Sequence, residues 1–169
     1  SDVVLATGHS ARDVFEALKN HGVSIEQKAF SMGVRVEHKR EDIDRVQHNG
    51  VKGLPSADYK LAVHLDNGRS VYTFCNCPGG EVINSSSERG GLVVNGMSNY
   101  ARNDENTNSA VLVNVTPSDF PSTDVLSGVA LQRKYEQLAY KVGGGNPPCQ
   151  LLGDFEKGVK STKIGKIKP

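Results

Sequence analysis

Phe74-Cys75-Asn76-Cys77-Pro78-Gly79-Gly80 places two thiols one residue apart at the end of a strand-like run and follows them with a glycine turn. The residues before it, Arg69 to Phe74, are rich in Val, Tyr, Thr and Phe, which suit a pleated, half-buried surface. Pro78 cannot donate to a ladder, and Gly79-Gly80 permits positive φ or the close approach of a ligand. The stretch therefore reads as a strand that delivers two sulfurs to the mouth of a loop. Upstream, Tyr59 to Leu65 alternates as a strand, and Asp66-Asn67-Gly68-Arg69 is a hairpin signal because Asn-Gly supplies the positive φ angles of a tight turn. Runs 59–65 and 70–75 are thus expected to pair antiparallel. Downstream, Glu81 to Asn84 restarts a strand, and Gly91 to Ser98 supplies another that ends in Gly96-Met97-Ser98.

Working outward, Ala29 to Glu37 sets Phe30, Met32, Val34 and Val36 against Ser31, Gly33, Arg35 and Glu37, the period of a half-buried strand. The charged run at 39–42 leads into a short helix holding Ile43, Val46 and Gln47, which ends at Asn49-Gly50. The stretch from Tyr100 to Ser109 has almost no apolar residue, so it reads as a long exposed loop or a flap over a site. Ala110 to Val115 is a further strand. Asp124 is the expected N-cap of the longest helix, with a Leu131, Tyr135, Leu138, Val142 stripe and a Gly143-Gly144-Gly145 stop.

At the amino end, Val3 to Ala6 has the continuous apolar character of a strand in a parallel sheet. It is expected to be peripheral or to pair unusually, because its parallel neighbours would belong to sequence outside this chain. Ser10-Ala11-Arg12-Asp13 reads as a capping box that opens a helix stopped at Gly22. Free amides beside Thr7, Gly8, His9 and Ser10 would suit a phosphate or carboxylate, or would simply be a capped helix start. The fold class is accordingly α+β. A mainly antiparallel sheet uses runs near 29–37, 59–65, 70–75, 81–84, 91–96 and 110–115, with helices near 11–20 and 125–142 packed on it.

With 20 Lys and Arg against 19 Asp and Glu, the formal charge of +1 gives no field that would recruit nucleic acid or an anionic membrane. No apolar run has the length of a membrane span, and no secretory leader pattern is present, so a cytoplasmic protein is expected. The three cysteines do not form a disulfide framework, because a pair separated by one residue closes a strained ring. A structural zinc site lacks its four closed-pair ligands, and no metal is expected. No Gly-x-Ser-x-Gly elbow selects a hydrolase. Arg35, Glu37 and His38 at a strand end could bind an anion and move protons, or form a surface pair of little energy. Cys75 and Cys77 could be redox-active if a positive charge lowers a thiol pKa, or could merely pack.

Five ordered blocks carry a resemblance: Val4 to Asp13, Phe30 to His38, Phe74 to Gly80, Asn95 to Ser98, and Asn108 to Ala110. Together they resemble a family of bacterial FAD-dependent oxidoreductases, the NAD(FAD)-utilising dehydrogenases, over nearly the whole chain. The resemblance implies that Ala6-Thr7-Gly8 closes the FAD domain of a two-dinucleotide-binding flavoprotein. It also implies that the remainder is an inserted substrate or lid domain over the flavin. On that reading residues 1–22 are the edge of the parent's FAD-binding domain, 23–156 the insert, and 157–169 a basic tail or linker.

The resemblance assigns Thr7, Gly8, His9 and Ser10 to the cofactor, and Arg35, Glu37, His38, Cys75 and Cys77 to catalysis. Pro78, Gly79, Gly80, Asn95, Gly96, Met97 and Ser98 are assigned to the substrate. The implied partners are the rest of the parent chain, a small-molecule substrate and NAD(P)H. Two departures stand out. No Gly-x-Gly-x-x-Gly occurs, so the chain alone is expected to bind FAD negligibly, and Asn76 stands where Met is usual in the family. A non-enzymatic interaction module with structural cysteines is the competing class.

Overall fold

A computed structural model describes residues 2–162 and 164. Among them the element order is α1 (Arg12–Asn20), β1 (Phe30–Lys39), α2 (Arg40–Gln47), β2 (Ala62–His64), β3 (Ser70–Cys77), β4 (Gly80–Asn84), β5 (Val94–Ser98), β6 (Asn106–Val115), α3 (Ser127–Gly143) and α4 (Leu152–Glu156). The fold is α+β. One antiparallel sheet runs in the order β1-β6-β3-β2, and β4 and β5 form a separate two-stranded ribbon. No described helix is long and apolar enough to cross a membrane.

Register assigns the faces of the main sheet. Arg35 lies opposite Ala110 and Glu37 opposite Asn108, while Phe74 also faces Ala110 and Cys77 faces Asn108. These side chains therefore share one face, since successive residues of a strand alternate. The β4–β5 ribbon covers the Glu37–Asn108 end of that face, with Glu37 taking a hydrogen bond from the Val82 backbone and Arg35 reaching Asn95. Met32, Val34 and Val36 project from the other face. There Phe30 stacks on Phe120 at 5.5 Å beside the first turn of α3, whereas Val34 is 63% exposed and Val63 of β2 52%.

Several expectations are corrected. Val3 to Ala6 forms no strand and is exposed, because no partner strand satisfies its backbone. The capping box at Ser10 does not form: Ala11 is the N-cap, and the Ser10 hydroxyl bonds His9 Nδ1 at 3.0 Å instead of the Asp13 amide. The strand expected at 59–65 is only three residues long, and β5 starts at Val94, three residues later than its run begins. In the hairpin turn only Gly68 takes positive φ. The Gly68 amide closes a turn on the Leu65 carbonyl at 3.0 Å, so the loop is the three-residue type with a left-handed last residue.

The run from Asn106 to Ser109 is not loop. It begins β6, and Thr107, Asn108 and Ser109 are fully buried between β1 and β3. Asp124 does not cap α3, which has Leu126 at its N-cap; Asp124 instead accepts from the Leu126 amide at 2.8 Å one turn earlier. The α3 stripe is exposed at Tyr135, Leu138 and Val142, since the helix turns its charged face inward. Gly144 ends it in the left-handed conformation, as expected. The short helix starts at Arg40, earlier than Ile43, and α4 had no advance signal. Of the carboxy-terminal lysines, Lys163, Lys166 and Lys168 lie outside the described residues.

The inward face of α3 is an ionic cluster. Arg12 Nη2 donates to Glu136 at 2.7 Å and to Gln132 at 2.9 Å, while its Nη1 donates to Glu88 at 2.9 Å. Arg133 grips Glu88 at 2.8 Å and Glu16 at 3.0 Å. The cluster ties α1, α3 and the loop between β4 and β5 together.

Candidate reactive site at the Cys75 bulge

Phe74 pairs with Ala110 and Cys77 with Asn108, so three steps along β3 match two along β6. One extra residue is therefore inserted, the definition of a β-bulge. The bulge falls at Cys75 and Asn76, and Cys75 takes φ +49, a left-handed conformation that costs a non-glycine residue about 1–2 kcal/mol. Its consequence is to swing the Cys75 carbonyl onto Arg35. Arg35 Nη1 donates to that carbonyl at 3.1 Å and to Asn108 Oδ1 at 2.5 Å, and Nη2 donates to Asn95 Oδ1 at 3.3 Å.

All three acceptors are neutral, and Arg35 forms no ion pair among the described residues. The guanidinium is thus held in place with its charge uncompensated. Asn108 is 0% exposed and its Nδ2 has no partner, and both amide atoms of Asn76 are buried without one. A buried donor left unpaired costs about 1–3 kcal/mol, and an ordered water or a bound polar group would each satisfy the Asn108 Nδ2 beside Arg35.

The sulfurs differ. Cys75 is exposed, whereas Cys77 is buried at 7% and donates its thiol to the Cys75 carbonyl at 3.5 Å. Burial pushes the Cys77 thiol up, the neighbouring Cys75 thiol adds to this, and Arg35 pulls the other way. Glu37 is raised by burial, opposed by the Val82 backbone and aided by Glu81.

The structure gathers Arg35, Cys75, Cys77, Asn95 and Gly96 at one point, with Glu37 on the same face. A Cβ on Gly96 would stand 2.2 Å from Asn108 Oδ1 and 2.3 Å from Arg35 Nη1, so glycine is required for the ribbon to reach the guanidinium. Met97 and Asn95 are exposed and Ser98 half-buried. His38 does not join them. It lies on the opposite face, where its Nε2 stands 2.7 Å from the Tyr59 hydroxyl, and burial lowers its pKa.

Pro78, Gly79 and Gly80 are buried, and the close approach that the glycines permit is to backbone. Added Cβ atoms would meet the Arg102 carbonyl oxygen at 1.9 Å and the Met97 carbonyl oxygen at 2.2 Å. Thr7, Gly8, His9 and Ser10 are exposed, and no hydrogen bond or ion pair among the described residues joins them to Arg35. Asn108, the anchor of Arg35, had no signal as a site residue beyond the resemblance block that contains it.

The model of the family described as FAD-dependent protein, C-terminal domain-like, matches residues 29–169. The chain belongs to that family. All the strands of this FAD-dependent protein C-terminal-like domain lie within the match, which starts one residue before β1, while α1 precedes it. The chain is also similar to an uncharacterized protein of Clostridium beijerinckii, at 49% identity over 174 residues. That alignment takes in 99% of this chain and 32% of the relative, so the chain spans about a third of the relative's length.

The chain's polar sites differ in how well they suit the flavin that the family implies. The Thr7–Ser10 turn offers one short helix start and no Gly-x-Gly-x-x-Gly, too little for a dinucleotide. The Arg35 wall fits better, with a fixed cation, an orphan amide and two thiols beside a polar ring or an anionic substrate.

Proposed function

We propose that this chain is the substrate-side domain of an FAD-dependent oxidoreductase of the NAD(FAD)-utilising dehydrogenase type, covering the flavin of a longer cytoplasmic parent. Bound FAD supplies two-electron redox chemistry. The chain's own residues hold and orient a small substrate: Arg35 receives its anionic or carbonyl oxygen, Asn108 and Asn95 fix Arg35, and Cys75 and Met97 stand at the open side. The observation that carries the reading is Arg35, a guanidinium immobilised by three neutral oxygens with its charge left for a ligand. Such a fixed fork suits planar oxygen pairs better than a mobile ammonium would.

The rest of the parent is proposed to dock on the open sheet face at Val34 and Val63. The exposure of these two valines, 63% and 52%, supports this, because it leaves apolar surface of the sheet uncovered.

The test is the full-length protein purified with its flanking sequence. It is expected to be yellow with FAD, and Arg35→Met is expected to keep the flavin while slowing its reduction by NAD(P)H or its reoxidation by substrate about tenfold or more. Protein that is colourless and takes up no added FAD overturns the reading. The 169-residue chain alone is expected to give no saturable change in flavin fluorescence up to roughly the millimolar range, since several charge-assisted contacts are missing.

A further inference from the structure

We propose that Cys75 and Cys77 are a dithiol–disulfide exchange centre that takes an external disulfide as its substrate. The inference rests on the site of the proposed function but needs no flavin for its chemistry. In a regular strand, residues two apart have Cα atoms about 6.6–6.8 Å from each other. That is the outer limit for a disulfide, whose Cα atoms stand about 4.4–6.8 Å apart. At the bulge β3 is not regular: three steps of β3 cover what two steps of β6 cover, so the chain from Phe74 to Cys77 is shortened along the sheet. The Cys75 backbone is left-handed there, a conformation that a regular strand does not adopt.

The two sulfurs are also differentiated as such a centre requires. Cys75 is open to solvent, and Cys77 lies buried behind it with its Sγ 3.5 Å from the Cys75 carbonyl. Arg35, whose Nη1 binds that same carbonyl, sits where its charge reaches the Cys77 sulfur. That cation favours the attacking thiolate and so opposes the burial that raises the Cys77 thiol.

The reaction balances as two exchanges. The Cys75 thiolate attacks one sulfur of the external disulfide, forming a mixed disulfide and expelling the first thiolate, which takes up the proton that Cys75 lost. The Cys77 thiolate then attacks Cys75 Sγ, forming the Cys75–Cys77 bond and expelling the second thiolate, which takes up the Cys77 proton. The dithiol is oxidised by two electrons and the external disulfide is reduced to two thiols. Because the ring closed by residues two apart is small, the product disulfide is strained and readily reduced, the behaviour of an exchange centre rather than of a staple.

The test equilibrates the full-length protein against glutathione disulfide and glutathione at varied ratios, quenches with acid, alkylates and digests with trypsin. Cleavage after Arg69 and Arg89 yields one peptide, Ser70 to Arg89, that holds both cysteines and excludes Cys149. The expected product is this peptide lighter by two hydrogens than its dithiol, rising with the oxidised ratio and reverting with dithiothreitol. Cys77→Ser is expected to stall as a glutathione adduct on Cys75, and Cys75→Ser to react at least tenfold more slowly. A wild-type peptide that stays a dithiol, or that stalls as the mixed disulfide at every ratio, overturns the proposal. The wild-type measurement needs no variant to fold, and its readout is independent of whether the protein retains FAD, so the two readings fail separately.

Discussion

Glu88 is the carboxylate on which the α1–α3 cluster turns, and its replacement by Gln tests how that cluster is held. The carboxylate accepts from Arg133 Nη2 at 2.8 Å and Nε at 2.9 Å, and from Arg12 Nη1 at 2.9 Å. Hydrogen bonds from Arg133, then those from Arg12 and the charges of both, hold the Glu88 carboxyl down at about 2 from an ordinary 4.5, against an opposing effect of burial. Each pKa unit is worth about 1.4 kcal/mol, so the full shift would be ~3.4 kcal/mol. The side chain is 27% exposed, and solvent screening reduces the figure to about 2 kcal/mol.

Glu88→Gln keeps an acceptor oxygen. Arg12 also remains bound to Glu136 and Gln132, and Arg133 to Glu16, so no guanidinium is stranded. The expected loss is therefore about 2 kcal/mol at pH 7, below the 3–5 kcal/mol typical when a buried partner is orphaned. The folded pKa is depressed, so this stability is present above pH 4.5 and is lost as pH falls toward about 2. Urea unfolding of wild type and variant should show a gap that closes across that window. A gap unchanged between pH 7 and pH 3 would refute the ionic account and assign the effect to packing.

Gly96→Ala should lower the thermal unfolding midpoint by the equivalent of about 1–3 kcal/mol, because its Cβ would overlap Asn108 and Arg35. Gly153→Ala has no atom within 4 Å of the new Cβ, needs no left-handed backbone and lies in α4, so it should cost nothing; equal losses by both would deny the close approach at Gly96. The His38 ring should titrate below its ordinary 6.5 in an NMR pH series, because burial disfavours the imidazolium. Its contribution to stability is then present above pH 6.5 and is lost as pH falls through the lower folded value, and a midpoint at or above 6.5 would contradict its burial.

The sheet was legible where local pattern and long-range pairing agree. The alternation of Phe30 to Glu37 and the turn at Gly68 each fix a strand by themselves, and β1 and the β2–β3 hairpin follow from them. Asn106 to Ser109 failed for a definite reason. Polar residues are read as solvated, yet here Asn108 is paired with Arg35 and Thr107 receives the Gly79 amide at 3.4 Å, while the Ser109 hydroxyl bonds the Phe74 carbonyl at 3.3 Å. Burial of polar groups is affordable only with partners from distant segments, and one sequence does not display which segments will meet. The same holds for Arg12. Nothing in Ser10-Ala11-Arg12-Asp13 singles it out, yet its guanidinium crosses to Glu88 and Glu136.

The candidate site shows the limit from the other side. Period two in β1 was enough to put Arg35 and Glu37 on one face and therefore to put His38 on the opposite one, so a triad that includes the adjacent Glu37 and His38 could not converge. Proximity of the thiols to Arg35 depended instead on an inserted residue. Nothing in Cys75-Asn76-Cys77 announces a bulge, because the insertion is defined only against the partner strand, at Ala110 and Asn108. Without it Cys75 and Cys77 would stand a full pleat repeat apart, and the Cys75 carbonyl would belong to the ladder instead of to Arg35. The bulge therefore couples the two properties of the site: the same backbone distortion that sets the Cys75 carbonyl on Arg35 also shortens the strand that carries the two thiols. Deletion of Asn76, which regularises β3, should then free Arg35 and turn Cys75 and Cys77, now sequence neighbours, to opposite faces of the sheet, and losing one property while keeping the other would show that they are independent.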